Sequence, residues 1–270
     1  MQNKAKTSVS SFLVLVSVLV IPFLILEALF PTELLPGLPL SALGAFTPAL
    51  AALILTYKHE GAAGIFPFLQ RSLDFQRVKN KGWFLLILLI NPAIAMFAFG
   101  IMRASGVPVP NPASLSLPLV VFSLFVAFLI SALGEEIGWT AYATERLLQR
   151  MGILSTGLFV GVIWSVIHFI PLIQAHRSLA WIAWWCLGTI SYRLIMTWLY
   201  VHSGRSLFGV AIFHAMINLS WQLFPVQGSY YDPQIFSLLA FAVAVILYAI
   251  ERFLSPPHRT LTKFQTRSSQ

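Results

Sequence analysis

Long apolar runs separated by short polar stretches dominate the chain. Eight of them predict membrane-crossing helices, at about 9 to 30, 41 to 57, 83 to 102, 117 to 139, 153 to 172, 179 to 201, 206 to 224 and 234 to 254. A helix needs about 20 apolar residues to cross the hydrocarbon core. Strands of a membrane barrel would be about ten residues long and alternate in polarity, so these continuous runs predict helices instead. The first run follows Lys4 and Lys6 as a signal peptide would. It is too long for one, and Glu27, Pro31 and Glu33 stand where small residues would mark a cleavage site, so a retained anchor is expected. Between the second and third runs, Ile65, Phe66, Phe68, Leu69, Leu73, Phe75 and Val78 are interleaved with Arg71, Asp74, Arg77, Lys79 and Lys81. Such a segment can lie in the interface on anionic lipid, or be a solvated connector without a chemical role. After Pro256 and Pro257 the chain is polar, and a disordered tail is expected. The predicted organisation is one transmembrane domain, residues 1–254, followed by a cytoplasmic tail, residues 255–270.

Composition agrees with this pattern. Hydrophobic residues make up 58% of the chain and charged residues 10%, against about a quarter charged in soluble domains. The net charge of +8 raises the question of nucleic acid. The basic residues sit at the ends of apolar runs, so nucleic-acid binding is set aside and membrane lipid is the expected partner. Their distribution also orients the chain. With a cytoplasmic N-terminus, fourteen Lys and Arg fall on the inner side and only Arg103 and Arg177 outside, as the positive-inside rule requires. The fold class predicted is therefore all-α, a polytopic bundle of about eight spans in an inner or plasma membrane, with both termini cytoplasmic. Cys186 is alone, which excludes intrachain disulfides and cysteine-based zinc frameworks.

Ionisable residues inside apolar helices carry the chemistry, because each costs roughly 2.5 to 3.5 kcal/mol at a helix centre. Glu135 and Glu136 close the run that begins near Leu119. Two carboxylates at mid-depth need compensation, or one of them must be protonated or poised as a base. His168 lies in the fifth run after Trp164, with Gly157, Gly161 and Ser165 forming a small stripe that admits close approach of another helix. A turn near residue 151 would fold these two runs into a hairpin and bring Glu135, Glu136 and His168 to similar depth, at about 1.5 Å per residue. His214 and Asn218 are one turn apart in the seventh run and share a helix face. They could coordinate a metal, bind water, hold an oxyanion, or form an interhelical hydrogen bond. Each residue alone has a structural explanation, but five on three helices point to water activation, by general base or by metal. Arg193, inside the sixth run, needs a partner as well, with Glu27, Glu251 or snorkelling as candidates. His59, His176, His202 and His258 fall at span ends or in loops and are taken as solvated.

At these residues the chain resembles the CPBP family of intramembrane proteases, which includes the CAAX prenyl endopeptidases and the bacteriocin-processing or immunity proteins. The family pattern is a glutamate pair followed by three residues and an arginine. An aromatic and a histidine come next, then a histidine and an asparagine or aspartate, each pair separated by three residues. Glu135 with Glu136, Trp164 with His168, and His214 with Asn218 match in order, over about residues 117–224. Thr140 stands where the family has its arginine, and Arg193 or Arg146 could substitute. The resemblance implies an endopeptidase acting on a membrane-associated peptide or protein near the cytoplasmic side. Glu135 would activate water with Glu136 as support and His168 as its partner, and His214 and Asn218 would stabilise the oxyanion. It leaves open whether a divalent metal such as zinc takes part. The alternative is a protease-like scaffold or immunity factor that binds without cleaving, which Thr140 favours. A small transporter would also use buried Glu and His, but it predicts inverted repeats that are not found.

Overall fold

The computed structural model describes residues 8–111 and 118–254. The predicted tail lies outside the described residues. Almost all the regular structure is helical: α1 (Val9–Leu29), α2 (Thr47–Glu60), α3 (Ala62–Gln70), α4 (Trp83–Ala104), α5 (Pro118–Gly138), α6 (Glu145–Leu147), α7 (Ile153–Ile167), α8 (Phe169–Gln174), α9 (Leu179–His202), α10 (Leu207–Leu223) and α11 (Pro233–Leu254). A small antiparallel hairpin, β1 (Glu33–Leu35) and β2 (Leu38–Pro39), and a 3₁₀ turn, Leu40–Phe46, link α1 to α2. A π-helical segment, Trp139–Thr144, joins α5 to α6.

Seven of the eight predicted spans are long and apolar enough to cross a membrane, among the described residues. The eighth, α10, has 17 residues, or about 25 Å of helix. Its shortness fits its place, because it is enclosed by α4, α5 and α9 and buries residues on every side, His214 included. The chain is thus a polytopic helical bundle.

Small residues set the closest approaches. A Cβ at Gly161 would touch the Ile190 backbone, and one at Gly157 would meet Leu194, so the predicted small stripe of α7 is the face that packs on α9. Gly134 and Gly138 do the same for α5. A Cβ at the first would enter the Phe46 ring, and at the second the backbone carbonyl of Pro48. The glutamate pair therefore sits on a helix that glycine allows to lie directly against α2.

The two ends of the bundle differ. At one end the amphipathic connector is built into the protein. Asp74 caps α10 through Ser206 Oγ at 2.8 Å and the amides of Leu207 and Phe208 at 3.1 Å. Arg71 donates to the Ala141 carbonyl at 3.1 Å and to the Tyr200 hydroxyl at 2.6 Å, and Tyr200 donates to Glu145, which also pairs with Arg205. The solvated-connector expectation is corrected for Arg71 and Asp74, whose charges are used inside the fold. His202 is also corrected, since its ring stacks on Trp198 at 4.3 Å. His59 and His176 are exposed as expected, and His258 lies outside the described residues. At the other end, the Ser41 amide donates to Glu27 at 2.9 Å, Gln174 donates to the Leu24 carbonyl at 3.0 Å, and Gly37 of the hairpin turn (φ 76°) lies against the Trp221 ring.

Two substitutions test this packing. Gly138→Ala forces α5 away from the Pro48 backbone and should cost about 1–3 kcal/mol, read as a lower thermal midpoint in detergent. Asp74→Ala removes the α10 cap and should cost about 0.5–2 kcal/mol by the same measurement.

Candidate active site

Adjacent residues on a helix point about 100° apart, and that angle gives the two glutamates different surroundings. Glu136 faces the bundle interior with no exposed surface. Its Oε2 accepts from Arg193 Nη1 at 2.8 Å and from Thr140 Oγ1 at 2.5 Å, and its Oε1 accepts from His214 Nδ1 at 2.8 Å. A carboxylate in a membrane interior is tolerated when a cation and several donors meet it, and Glu136 has both. Of the alternatives for Arg193, the geometry matches the substitute for the motif arginine, since it pairs with the glutamates and not with Glu27 or Glu251. Glu27 instead accepts from the Ser41 amide. Arg146, the other candidate substitute, bonds the Tyr142 carbonyl at 3.0 Å and lies over the Tyr142 ring.

Glu135 faces a cavity of about 560 Å³. Its Oε2 accepts from Trp164 Nε1 at 2.8 Å and lies 4.0 Å from Arg193 Nη2, while its Oε1 is 3.9 Å from His214 Nε2. Trp164 organises this wall. One face carries the Arg193 guanidinium, 3.9 Å from the ring centre, and the rings of His168 and His214 stand nearly perpendicular to it at 5.1 and 5.3 Å. Cation–π contact suits a buried guanidinium, which is weakly hydrated and planar.

His168 sits at a break between α7 and α8. Pro171 has no N–H for the Ile167 carbonyl and its ring crowds that carbonyl, which removes one ladder hydrogen bond where α7 ends, although α1 and α4 continue through Pro22 and Pro92. His168 Nδ1 lies 2.7 Å from the Trp164 carbonyl. A carbonyl only accepts, so Nδ1 carries the proton, and in the neutral ring Nε2 keeps a lone pair. His168 and Glu135 both line the cavity but are joined through Trp164 rather than by a direct hydrogen bond.

His214 and Asn218 line the same cavity from α10, one turn apart. With its Nδ1 proton given to Glu136, His214 turns Nε2 toward Glu135. All five predicted residues therefore converge: four on the cavity, and Glu136 directly behind them.

Sequence reasoning passed over three contributors. Trp164 entered only as a spacing mark, although its position four residues before His168 already set it on the same face. The π segment Trp139–Thr144 had no sequence signal, and it begins beside Thr140, which bonds Glu136 one turn back; such segments often occur at functional sites. Asn91, buried next to Pro92, donates to the Phe213 carbonyl at 3.3 Å and lines the cavity. An amide inside an apolar run was the signal that could have found it.

A metal fits poorly. Among the described residues no three His, Cys, Asp or Glu side chains group closely enough to hold an ion, and Glu136 is already engaged by three donors.

Comparison with known proteins follows the same residues. Residues 116–220 match the family model described as type II CAAX prenyl endopeptidase Rce1-like. Over 134 residues, 46% of this chain, the sequence is 29% identical to CAAX prenyl protease 2 of Methanococcus maripaludis, and the match covers 49% of that protein. The chain thus spans about half the length of this curated relative.

The buried pair yields a stability prediction. Arg193→Met strands Glu136 and should cost about 3–5 kcal/mol. Combining it with Glu136→Gln should recover much of that loss. A double-mutant cycle on unfolding in detergent measures the coupling.

Proposed function

We propose, from the match of residues 116–220 to the type II CAAX prenyl endopeptidase Rce1-like family model, that the chain is an intramembrane endopeptidase of the CPBP kind that uses Glu135 to activate water. The observation that carries this reading is the division of labour between the two carboxylates. Glu136 is held by Arg193, Thr140 and His214, whereas Glu135 is the one that faces the cavity, 3.9 Å from His214 Nε2.

A water held between the Glu135 carboxylate and His168 Nε2 gives its proton to Glu135 as its oxygen attacks the scissile carbonyl. The carbonyl π electrons move onto oxygen. The Asn218 amide donates to that oxyanion, and so does His214 when both of its ring nitrogens carry protons, with Nδ1–H on Glu136 and Nε2–H toward the cavity. Collapse of the tetrahedral intermediate breaks the C–N bond, and Glu135 passes its proton to the departing amine. Glu136 and Arg193 hold His214 in orientation, and Trp164 fixes Glu135 through its indole N–H. Arg193 also supplies, from α9, a cation for the glutamate pair that the family pattern would supply at position 140. The substrate is a peptide or protein in contact with the membrane, since the cavity walls are mainly apolar.

The test is turnover of a quenched-fluorescent peptide library by the purified protein. Glu135→Gln should lower turnover about 10²- to 10⁴-fold with an unchanged thermal midpoint. Asn218→Ala should lower it about 10²- to 10³-fold. Equal turnover by Glu135→Gln, or none in either protein, counts against the reading. Full biological effect of Glu135→Ala and His168→Ala in cells would support a non-cleaving scaffold or immunity factor.

A further inference from the structure

Among the described residues, the loop segments that line the cavity all belong to one end of the bundle. Its floor is Glu135, Trp164 and His214, and its mouth is formed by the hairpin and 3₁₀ turn, by the α8–α9 turn and by the α10–α11 turn, through Leu35, Ser41, Ala175, Trp181, Trp221 and Ser229. None of the described residues 58–82, 140–152 or 200–208 lines it. Behind the floor the path is filled: Glu136 is wholly buried, Trp139 is 2% exposed, and every residue of the π segment is buried.

That closed end is also the cationic one. Lys58, Lys79, Lys81, Arg150 and Arg252 gather there, together with Arg71, Arg77, Arg146 and Arg205, whereas the described residues of the open end hold Arg103 and Arg177. Lys and Arg in short loops mark the cytoplasmic side, whether or not they are paired. At the open end Trp181, Trp221 and Tyr231 surround the mouth, and aromatic rings of this kind favour the headgroup level.

In place of the cytoplasmic-side action that the resemblance implied, we infer that the catalytic cavity opens to the non-cytoplasmic face of the membrane and receives polypeptide that has already crossed it. The sidedness rests on charge and cavity geometry alone, while the substrate class rests also on the endopeptidase reading. A peptide would enter beneath the hairpin, between α1 and the α8–α9 turn, and meet Glu135 at the floor. A cytoplasmic tail has no route to Glu135, because the π segment and the Arg193–Glu136 pair stand between them.

Sidedness is measured in spheroplasts expressing the full chain with Cys186→Ser and one new cysteine. The new cysteine is Ser229→Cys or Ala175→Cys at the mouth, Ser131→Cys inside the cavity, or Lys79→Cys at the cationic end. A membrane-impermeant maleimide should label the mouth and cavity cysteines in intact spheroplasts and Lys79→Cys only after lysis. The reverse pattern overturns the inference. So does labelling of Ser131→Cys in step with Lys79→Cys, or its protection before and after lysis. The two mouth variants lie on different turns, so a folding defect in one leaves the other to decide. In a second arm the quenched-fluorescent peptide library is added to right-side-out and inverted vesicles, with turnover expected in the first. Turnover confined to inverted vesicles overturns the inference. Absence of turnover even in detergent removes the endopeptidase reading instead, and the labelling pattern still decides the sidedness.

Discussion

Everything in the centre of this bundle depends on one wholly buried carboxylate. Glu136 lies where neither water nor lipid can solvate it, so the π segment, α9 and α10 must bring Thr140, Arg193 and His214 to it at the same time. An ion in such a place is tolerated only with good geometry and filled hydrogen-bonding positions. That demand fixes the rotation of three helices about their axes and their relative depth. Glu135 and Asn218 then face the cavity as a consequence of the rotation that Glu136 imposes.

Trp164 extends the constraint to α7. It makes an indole hydrogen bond to Glu135, a cation–π contact to Arg193 and edge contacts with both histidines. A smaller residue would release all four neighbours at once, so tryptophan here does more than fill space. The break at His168, where Pro171 takes away a ladder hydrogen bond, sets this histidine at the rim of the same wall.

Much of this was legible in the sequence because the membrane simplifies the reading. Long apolar runs gave the helices to within a few residues, and rare polar residues inside them marked Glu135, Glu136, His168, His214 and Asn218. Less visible was anything that depends on partners distant in the chain. Arg193 was recognisable as a cation needing a carboxylate, but periodicity could not tell Glu136 from Glu27 or Glu251. Asp74 and Arg71 sit in a stretch whose charges look solvated, and only the fold shows them capping α10 and bonding Ala141 and Tyr200. The hairpin and the π segment carry no hydrophobic period at all, and yet the first roofs the cavity mouth and the second closes its far side.

The placement of the compensating cation also bears on how the chain is made. A cation at position 140 would enter the bilayer in the same helical turn as Glu136, and the helix would be neutral from the moment of insertion. Here the guanidinium belongs to Arg193, 57 residues further along the chain. During synthesis α5 precedes its counter-ion by one whole span, α7, and the first part of α9, carrying acidic groups that cost roughly 2.5–3.5 kcal/mol each until the partner arrives. The bundle becomes electrically complete only when α9 docks and α10 delivers His214, so the order in which helices leave the ribosome is written into the site itself.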